Sequence, residues 1–314
     1  MAILGAWARH RDEEAYANAA RRLGLTVRVF DVLHWSQRLK GLAPPVLAGA
    51  IERFEPDLIL CTRDAQRLGF DRLSRLFRGR SAVMWHVDPQ AQEGVLELAR
   101  LCGTLYLTYA AQCDWYRQRG VGVVRFLPPA MAPERDIPSP VTRPEFQCDA
   151  SFVGSGPYPY RWPVLAAVAA QFRLQVRGPG WKGVAAPFPV AGGPVHGRRY
   201  AEVIAGAAVS LGASALPAQD ADHASASDRM WRIIGCGGAY VGPYVPGIEQ
   251  FAEHGVHCAW YRSPEECVDA VRGLIDDPVE RRAMAERGRA HALAHHSYDQ
   301  RLELLLSGRE FTLR

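Results

Sequence analysis

Two stretches combine glycines, a strand end and a basic side chain in the way phosphate sites do. Residues 227–249 open with a helix signal: Ser225 or Ser227 can cap, Asp228 falls in the first turn, and Met230, Trp231, Ile233 and Ile234 recur at helical spacing. Gly235, Gly237 and Gly238 stop that helix. Ala239 to Val241 is a short apolar strand, and Pro243, Pro246 and Gly247 lead to Glu249. Helix, glycine turn, strand and proline-glycine loop can bring backbone amides against a phosphate. A buried αβ unit with a glycine cap would carry the same residues, so the stretch alone leaves both readings open. Gly154-Ser155-Gly156 follows a second apolar strand, 149–153, at the carboxyl edge where ligands of α/β sheets sit. Lys40 and Lys182 are the two lysines, so arginine supplies nearly all the positive charge, and its fork binds phosphate through two hydrogen bonds.

Other candidates are single residues. A hydroxyl becomes a better nucleophile when a base takes its proton. Asp88 and His86 lie just past the apolar strand 81–85 and could fill that role; Asp88 could equally cap a helix ahead of Pro89. Asp220, Asp222 and His223 have metal-like spacing, but with no second cluster and an alanine-serine context they read as a loop, and no metal is expected. His295 and His296 read as solvated. The arginines from 67 to 80 could meet nucleic acid, but Leu68, Leu73, Leu76 and Phe77 read as the buried stripe of an ordinary amphipathic helix.

These residues hang on a repeating pattern. Strands at 2–8, 26–30, 57–61, 81–85, 104–108 and 123–127 alternate with helices at 13–23, 46–54, 65–77, 92–101 and 111–119, which predicts a parallel sheet. Residues 128–144 carry six prolines in seventeen positions and read as an extended connection between domains. The pattern then restarts. Strands are expected at 149–153, 174–177, 208–212, 239–241 and 258–261, with helices at 162–171, 199–206, 264–275, 279–295 and 298–306. The fold class is α/β, with two doubly wound domains facing a cleft, the boundary falling at 145.

The totals narrow the class. A chain of 314 residues, 48% hydrophobic, can bury two cores. The opening apolar run is too short for a signal peptide, and no run approaches the ~20 residues of a membrane span. Seven scattered cysteines, none in a C-x-x-C pair, argue against a disulfide framework and for a cytoplasmic setting. The net charge of +4 is mild.

Several segments in order resemble GT-B glycosyltransferases of the CgeB-like, group 1 type. They are C-D-A-S-F-V-G-S at 148–155, L-Q-V-R-G-P-G-W at 174–181, S-D-R-M-W-R-I-I-G-C-G-G at 227–238, P-G-I-E-Q-F at 246–251 and Y-R-S-P-E-E at 261–266. R-R-A-M-A-E-R-G-R at 281–289, H-S-Y-D-Q-R at 296–301, W-H-V-D-P at 85–89 and F-L-P-P-A at 126–130 complete the set. The resemblance implies a metal-independent enzyme with no cofactor that moves a sugar from a nucleotide-diphosphate sugar, a UDP-sugar favoured, to an unidentified acceptor hydroxyl. It implies an acceptor-side domain 1–145, a donor domain 146–296 and a closing helix, 297–314, returning to the first. On this reading Gly154, Ser155, Arg161, Lys182, Arg229, Gly237, Gly238 and Glu249 bind the donor, Asp88 or His86 activates the acceptor, and Trp7 and His10 line the acceptor site. The sequence departs from the pattern at Arg232, where many relatives carry a ribose-holding glutamate, and at Ala224, where many retaining families carry a carboxylate; Glu249 or Asp228 could substitute. A sugar-nucleotide epimerase and a non-catalytic nucleotide- or sugar-binding protein remain rivals, and a nucleic-acid acceptor is not favoured. The oligomeric state is not set by the sequence.

Overall fold

The computed structural model of the chain describes residues 1–7, 11–88, 93–215 and 226–312. The chain divides into two compact units, one of residues 1–129 and 298–312, the other of residues 130–297.

The first unit is built on β1 (Ala2–Gly5), β2 (Arg28–Asp31), β3 (Leu58–Cys61), β4 (Ser81–His86), β5 (Thr104–Leu107) and β6 (Val123–Phe126). All neighbours are parallel, in the order β2-β1-β3-β4-β5-β6, so the winding reverses between β1 and β3. Ile3, Leu4, Ile59, Leu60, Met84, Trp85, Leu105 and Tyr106 are buried. Their strands read as apolar runs because a parallel sheet is covered on both faces. The single helix expected over 65–77 is instead a 3₁₀ turn, Arg63–Leu68, and an α-helix, Phe70–Phe77; Gly69 divides them at φ 83°. The helix Val32–Leu39 was not expected. It leaves β2 with no spacer, and Asp31 is at once the last strand residue and the cap, accepting from His34 N at 3.0 Å.

The closing helix, Tyr298–Leu306, belongs to this unit. Tyr16 stacks on Trp85 with centroids 4.5 Å apart, and Tyr298 meets both edge-on at 5.2 and 5.9 Å. Trp85 Nε1 donates to Leu127 O at 3.1 Å, and the buried Arg301 donates through Nε to Pro128 O at 3.0 Å. An Arg22–Asp299 ion pair adds a contact at the surface.

The second unit is built on β7 (Cys148–Val153), β8 (Leu174–Arg177), β9 (Val190–Gly192), β10 (Ala207–Leu211), β11 (Tyr240–Pro243) and β12 (Ala259–Tyr261). These too are parallel, in the order β12-β11-β10-β7-β8-β9. The winding reverses between β7 and β10, the dinucleotide-fold arrangement whose ligands lie at that switch point. Phe152, Val176, Val209, Leu211 and Val241 form the centre of the core. The edge strand β9 went unread because it has three residues and none of them is buried. The proline-rich stretch is not a free connection after Pro129. Met131 bridges to Ser297, the buried Asp136 accepts from Ala132 N at 2.8 Å and Arg135 Nε at 2.9 Å, and Phe146 is buried. Residues 130–145 therefore pack with the second unit, and the division falls at 129/130 where 145 was expected. Among the described residues no helix is long and apolar enough to cross a membrane.

Tyr298→Ala should remove roughly 3–5 kcal/mol of stability from the first unit, the cost of deleting a large buried aromatic. Urea denaturation followed by tryptophan fluorescence reads this through Trp85; a loss below about 1 kcal/mol would contradict the packing described.

Candidate functional site

The switch point of the second unit is closed by one side chain. Arg229 is in the first turn of the helix Asp228–Gly235, which Ser227 caps by accepting from Met230 N at 3.3 Å. Its Nε donates to Val153 O, at the end of β7, at 2.8 Å, and its Nη1 donates to Ala213 O, just past β10, at 3.3 Å. The guanidinium thus bridges the two strands between which the order reverses. It also lies 4.8 Å from the centre of the Phe152 ring. Both bonds go to main-chain carbonyls, and among the described residues none goes to a carboxylate.

The loop after β7 is fixed from below. Gly154 O accepts from Trp181 Nε1 at 2.8 Å, and Ser155 O accepts from Arg161 Nη1 at 2.7 Å. Gly154 N and Gly156 N donate to Arg177 O and Pro179 O. With its neighbours bound on both sides, the Ser155 amide is the free donor of this loop among the described residues. The turn after β8 comes so close that a Cβ on Gly178, at φ 145°, would lie 2.1 Å from Gly154 O. No other residue fits there.

These parts line a pocket of about 220 Å³ together with Pro179, Pro194, Val195, His196, Tyr200, Asp228 and Arg232. Sites for whole drug-sized ligands run to roughly 300–1,000 Å³, so this one fits a portion of a larger molecule. Its field is positive. Burial, and then the neighbouring Arg229, lower the pKa of Arg161 to about 9, and burial followed by Arg232 lowers that of His196. An anion placed here would relieve the repulsion among these cations.

Of the residues expected at a donor site, Gly154, Ser155 and Arg229 line the pocket. Arg161 stands behind it, positioning the Ser155 carbonyl. Lys182 is exposed and outside the lining; it is its neighbour Trp181 that reaches back to Gly154. Gly237 and Gly238 are also outside it. They end the helix at the far end from Arg229, and a Cβ on Gly238 would meet Ile204 and Ile233. Glu249 is exposed on the 3₁₀ turn Ile248–Gln250 and is not among the lining residues. Gly178, Tyr200 and Arg232 were not expected to line the site. Only a pattern of glycines at two adjacent strand ends, 154 and 178, signalled the first of them.

In the first unit His86 ends β4 with its side chain buried, and Asp88, two residues on, is half-exposed and paired with Arg63. Trp7 lines a hollow of about 430 Å³ along the edge strand β2, with Phe30, Asp31, Trp35, Leu39 and Leu47. The switch point between β1 and β3 holds a buried carboxylate that the sequence did not single out. Glu13 accepts from Thr62 Oγ1 at 3.0 Å and from Ala6 N at 3.3 Å, and burial raises its pKa. His10, Ala224 and the Asp220, Asp222, His223 cluster lie outside the described residues.

Of the two histidines read as solvated, His295 is exposed and His296 is buried, stacked on Trp231. His291 stacks on His257 with centroids 4.1 Å apart, and its Nε2 donates to Phe251 O at 2.8 Å. His257 Nδ1 accepts from Glu253 N at 3.1 Å, a bond that a doubly protonated ring cannot make. Burial lowers the pKa of both His257 and His291; His291, and less so Arg287 and His295, add to the effect on His257 against Glu253, while at His291 the bond to Phe251 O opposes burial and His295 adds to it.

One sequence profile, described as glycosyl transferase-like, matches residues 161–307. No curated protein matches by sequence. Among solved structures, HepE of Anabaena in complex with UDP-glucose is 16% identical, with 98% of this chain and 100% of HepE covered and a TM-score of 0.64. Sucrose-phosphate synthase from Thermosynechococcus elongatus is 12% identical over 98% of each chain, with a TM-score of 0.66. An alpha-glucosyltransferase in complex with UDP is 9% identical over 98% of each chain, with a TM-score of 0.71. At these identities the structures establish the fold: two Rossmann-like units of the GT-B kind.

Gly178→Ala should cost about 2 kcal/mol or more, since the added methyl must displace the Gly154 loop against an unfavourable φ. An unchanged midpoint of thermal unfolding would contradict the close approach. Stability should also fall as pH drops below about 6.5, where unfolded histidines take up protons that folded His257 and His291 resist. A His257→Gln/His291→Gln double variant should show a shallower fall between pH 7.5 and 5.5; an identical slope would count against the stack as its source.

Proposed function

We propose that this chain, a GT-B glycosyltransferase by its fold and by the family match of its second unit, moves a sugar from a nucleotide-diphosphate sugar to an acceptor hydroxyl, with the diphosphate held in the second unit's pocket. The observation that carries the reading is the bridge made by Arg229. A guanidinium fixed across the β7–β10 switch point, with no carboxylate bound to it among the described residues, stands beside a loop whose Ser155 amide has no partner among those residues. A diphosphate leaving group gathers charge as the glycosidic bond breaks. Fixed donors placed in advance lower that barrier without having to reorganise. The arginines supply the neutralisation that a divalent ion would otherwise provide, so the reaction proposed is metal-independent. Arg161 acts behind them by holding the Ser155 carbonyl.

On the acceptor side, Asp88 is the proposed base. Its carboxylate is half-exposed and so can reach a hydroxyl, whereas His86 is buried. The hollow beside Trp7 and Trp35 is the proposed place for the acceptor. Glu249 and Lys182, both exposed, remain donor contacts only in the sense of reaching a bound sugar from outside the pocket. A UDP-sugar is the proposed donor, and HepE, of the same fold, was solved with UDP-glucose. The seven unpaired thiols fit a cytoplasmic setting.

Thermal unfolding with UDP, GDP, ADP, TDP and CMP, each with and without EDTA, tests this directly, because a ligand bound only by the folded chain raises the midpoint. The expected result is a shift with UDP that EDTA leaves unchanged and that Arg229→Met abolishes. No shift with any nucleotide would move the chain to the non-catalytic rival. A shift that EDTA removes would overturn metal independence.

A further inference from the structure

We infer that the hollow along β2 is built for an amphiphilic hydroxy acid, seating the anionic head and apolar body of the acceptor and letting its hydroxyl emerge at the carboxyl end of the strand. The inference rests on the acceptor reading of this hollow given above. At about 430 Å³ the hollow has room for the larger part of a small molecule. Val29, Phe30, Leu39 and Leu47 form its wall, and Trp7 and Trp35, 36% and 39% exposed, stand in its lining with their rings open to a ligand. Its charged side chains are Arg21, Arg28 and Asp31.

These charges are sorted along the strand. Arg28 begins β2 and Asp31 ends it, a rise of about 10 Å. The helix Asp12–Arg22 follows β1 and leads back to the start of β2, which puts Arg21 at the same end as Arg28. Arg21 Nη1 donates to Asn18 Oδ1 at 3.0 Å, and the Arg28 guanidinium lies 5.0 Å from the centre of the Phe30 ring. Among the described residues neither arginine is bound to a carboxylate. An anionic head therefore belongs at the arginine end, away from the like charge of Asp31.

The wall between the two ends selects the body. A sugar ring brings a hydroxyl on nearly every carbon, and each one that leaves water needs a partner. Four aliphatic and aromatic side chains offer none, so an apolar body fits and a glycan does not. The hydroxyl must reach further. Trp7 follows β1, and β4, which leads to Asp88, lies two strands beyond β1 in the sheet, roughly 10 Å. The acceptor is then a long molecule with its reactive oxygen at the end opposite its charge. That hydroxyl gives its proton to the Asp88 carboxylate as its oxygen bonds the sugar's anomeric carbon. The bond from that carbon to the diphosphate breaks, and the diphosphate leaves with the electron pair.

Isothermal titration of the full chain with UDP, 12-hydroxydodecanoate and the methyl ester of that acid tests the inference. The wild type should bind the acid about tenfold or more tighter than the uncharged ester, the worth of a charged hydrogen bond. An Arg21→Gln/Arg28→Gln double variant should lose about tenfold for the acid and less than about twofold for the ester and for UDP. Trp35→Ala should weaken acid and ester alike, by about fivefold. All three side chains are exposed, so the unliganded midpoints should match the wild type. Equal binding of acid and ester would overturn the inference, as would binding of maltose that Trp35→Ala removes, since the hollow would then take a glycan. A chain that binds UDP but not the hydroxy acid overturns this inference alone. One that binds the hydroxy acid but no nucleotide overturns the transfer reading, and the acceptor role with it.

Discussion

The strand order of the second unit reverses between β7 and β10, the point at which ligands of such sheets lie. Arg229 spans it by donating to one carbonyl just past each strand's core, Val153 O and Ala213 O. The rest of the site follows from that bond pattern. Gly154 must be small because the guanidinium passes over it, its Cβ position lying 2.7 Å from Arg229 Nη2. Gly178 must be small because the β8 turn meets Gly154 from the other side. Trp181 and Arg161 hold the two carbonyls of the loop, so its remaining free amide is fixed in place. A cation tied to main-chain carbonyls keeps its full charge for a ligand. One tied to a carboxylate would have spent it.

The first unit is organised differently. Its switch point, between β1 and β3, is filled from inside by the Glu13 carboxylate, and its stability depends on an aromatic group that brings Tyr16, Trp85 and Tyr298 together across most of the sequence. The final helix completes the first sheet's core, which is why the last residues belong to a unit that otherwise ends at Pro129. Asp88 and the hollow beside Trp7, proposed for the acceptor side, lie outside this buried group.

Much of this was legible in the sequence. The βα alternation predicts both sheets, since parallel strands covered on two faces must be apolar runs, and eleven of the twelve strands among the described residues announce themselves in that way. β9 does not, because its side chains are not buried. The helix after β2 was missed because Asp31 ends a strand and caps a helix in the same position. The proline-rich stretch was read as free chain because composition does not reveal that Asp136 will be buried and bonded. For the site, local motifs located Gly154, Ser155 and Arg229. They also named Gly237 and Gly238, which lie outside that pocket; a glycine that stops a helix and one that admits a phosphate look alike. They gave no sign of Tyr200, which enters the lining because its ring packs against Arg232 of a helix more than twenty residues away in sequence. The departure at Arg232 was visible as an oddity. Its ion pair with the buried Asp136 is a fact of the fold.

The most direct test of the central claim is a crystal structure of the chain with UDP bound. The account predicts the diphosphate against Gly154, the Ser155 amide and the Arg229 guanidinium at hydrogen-bonding distance, about 2.7–3.2 Å, with no metal ion between them. A nucleotide bound elsewhere with this pocket empty, or one held through a metal ion with Arg229 turned away, would contradict it.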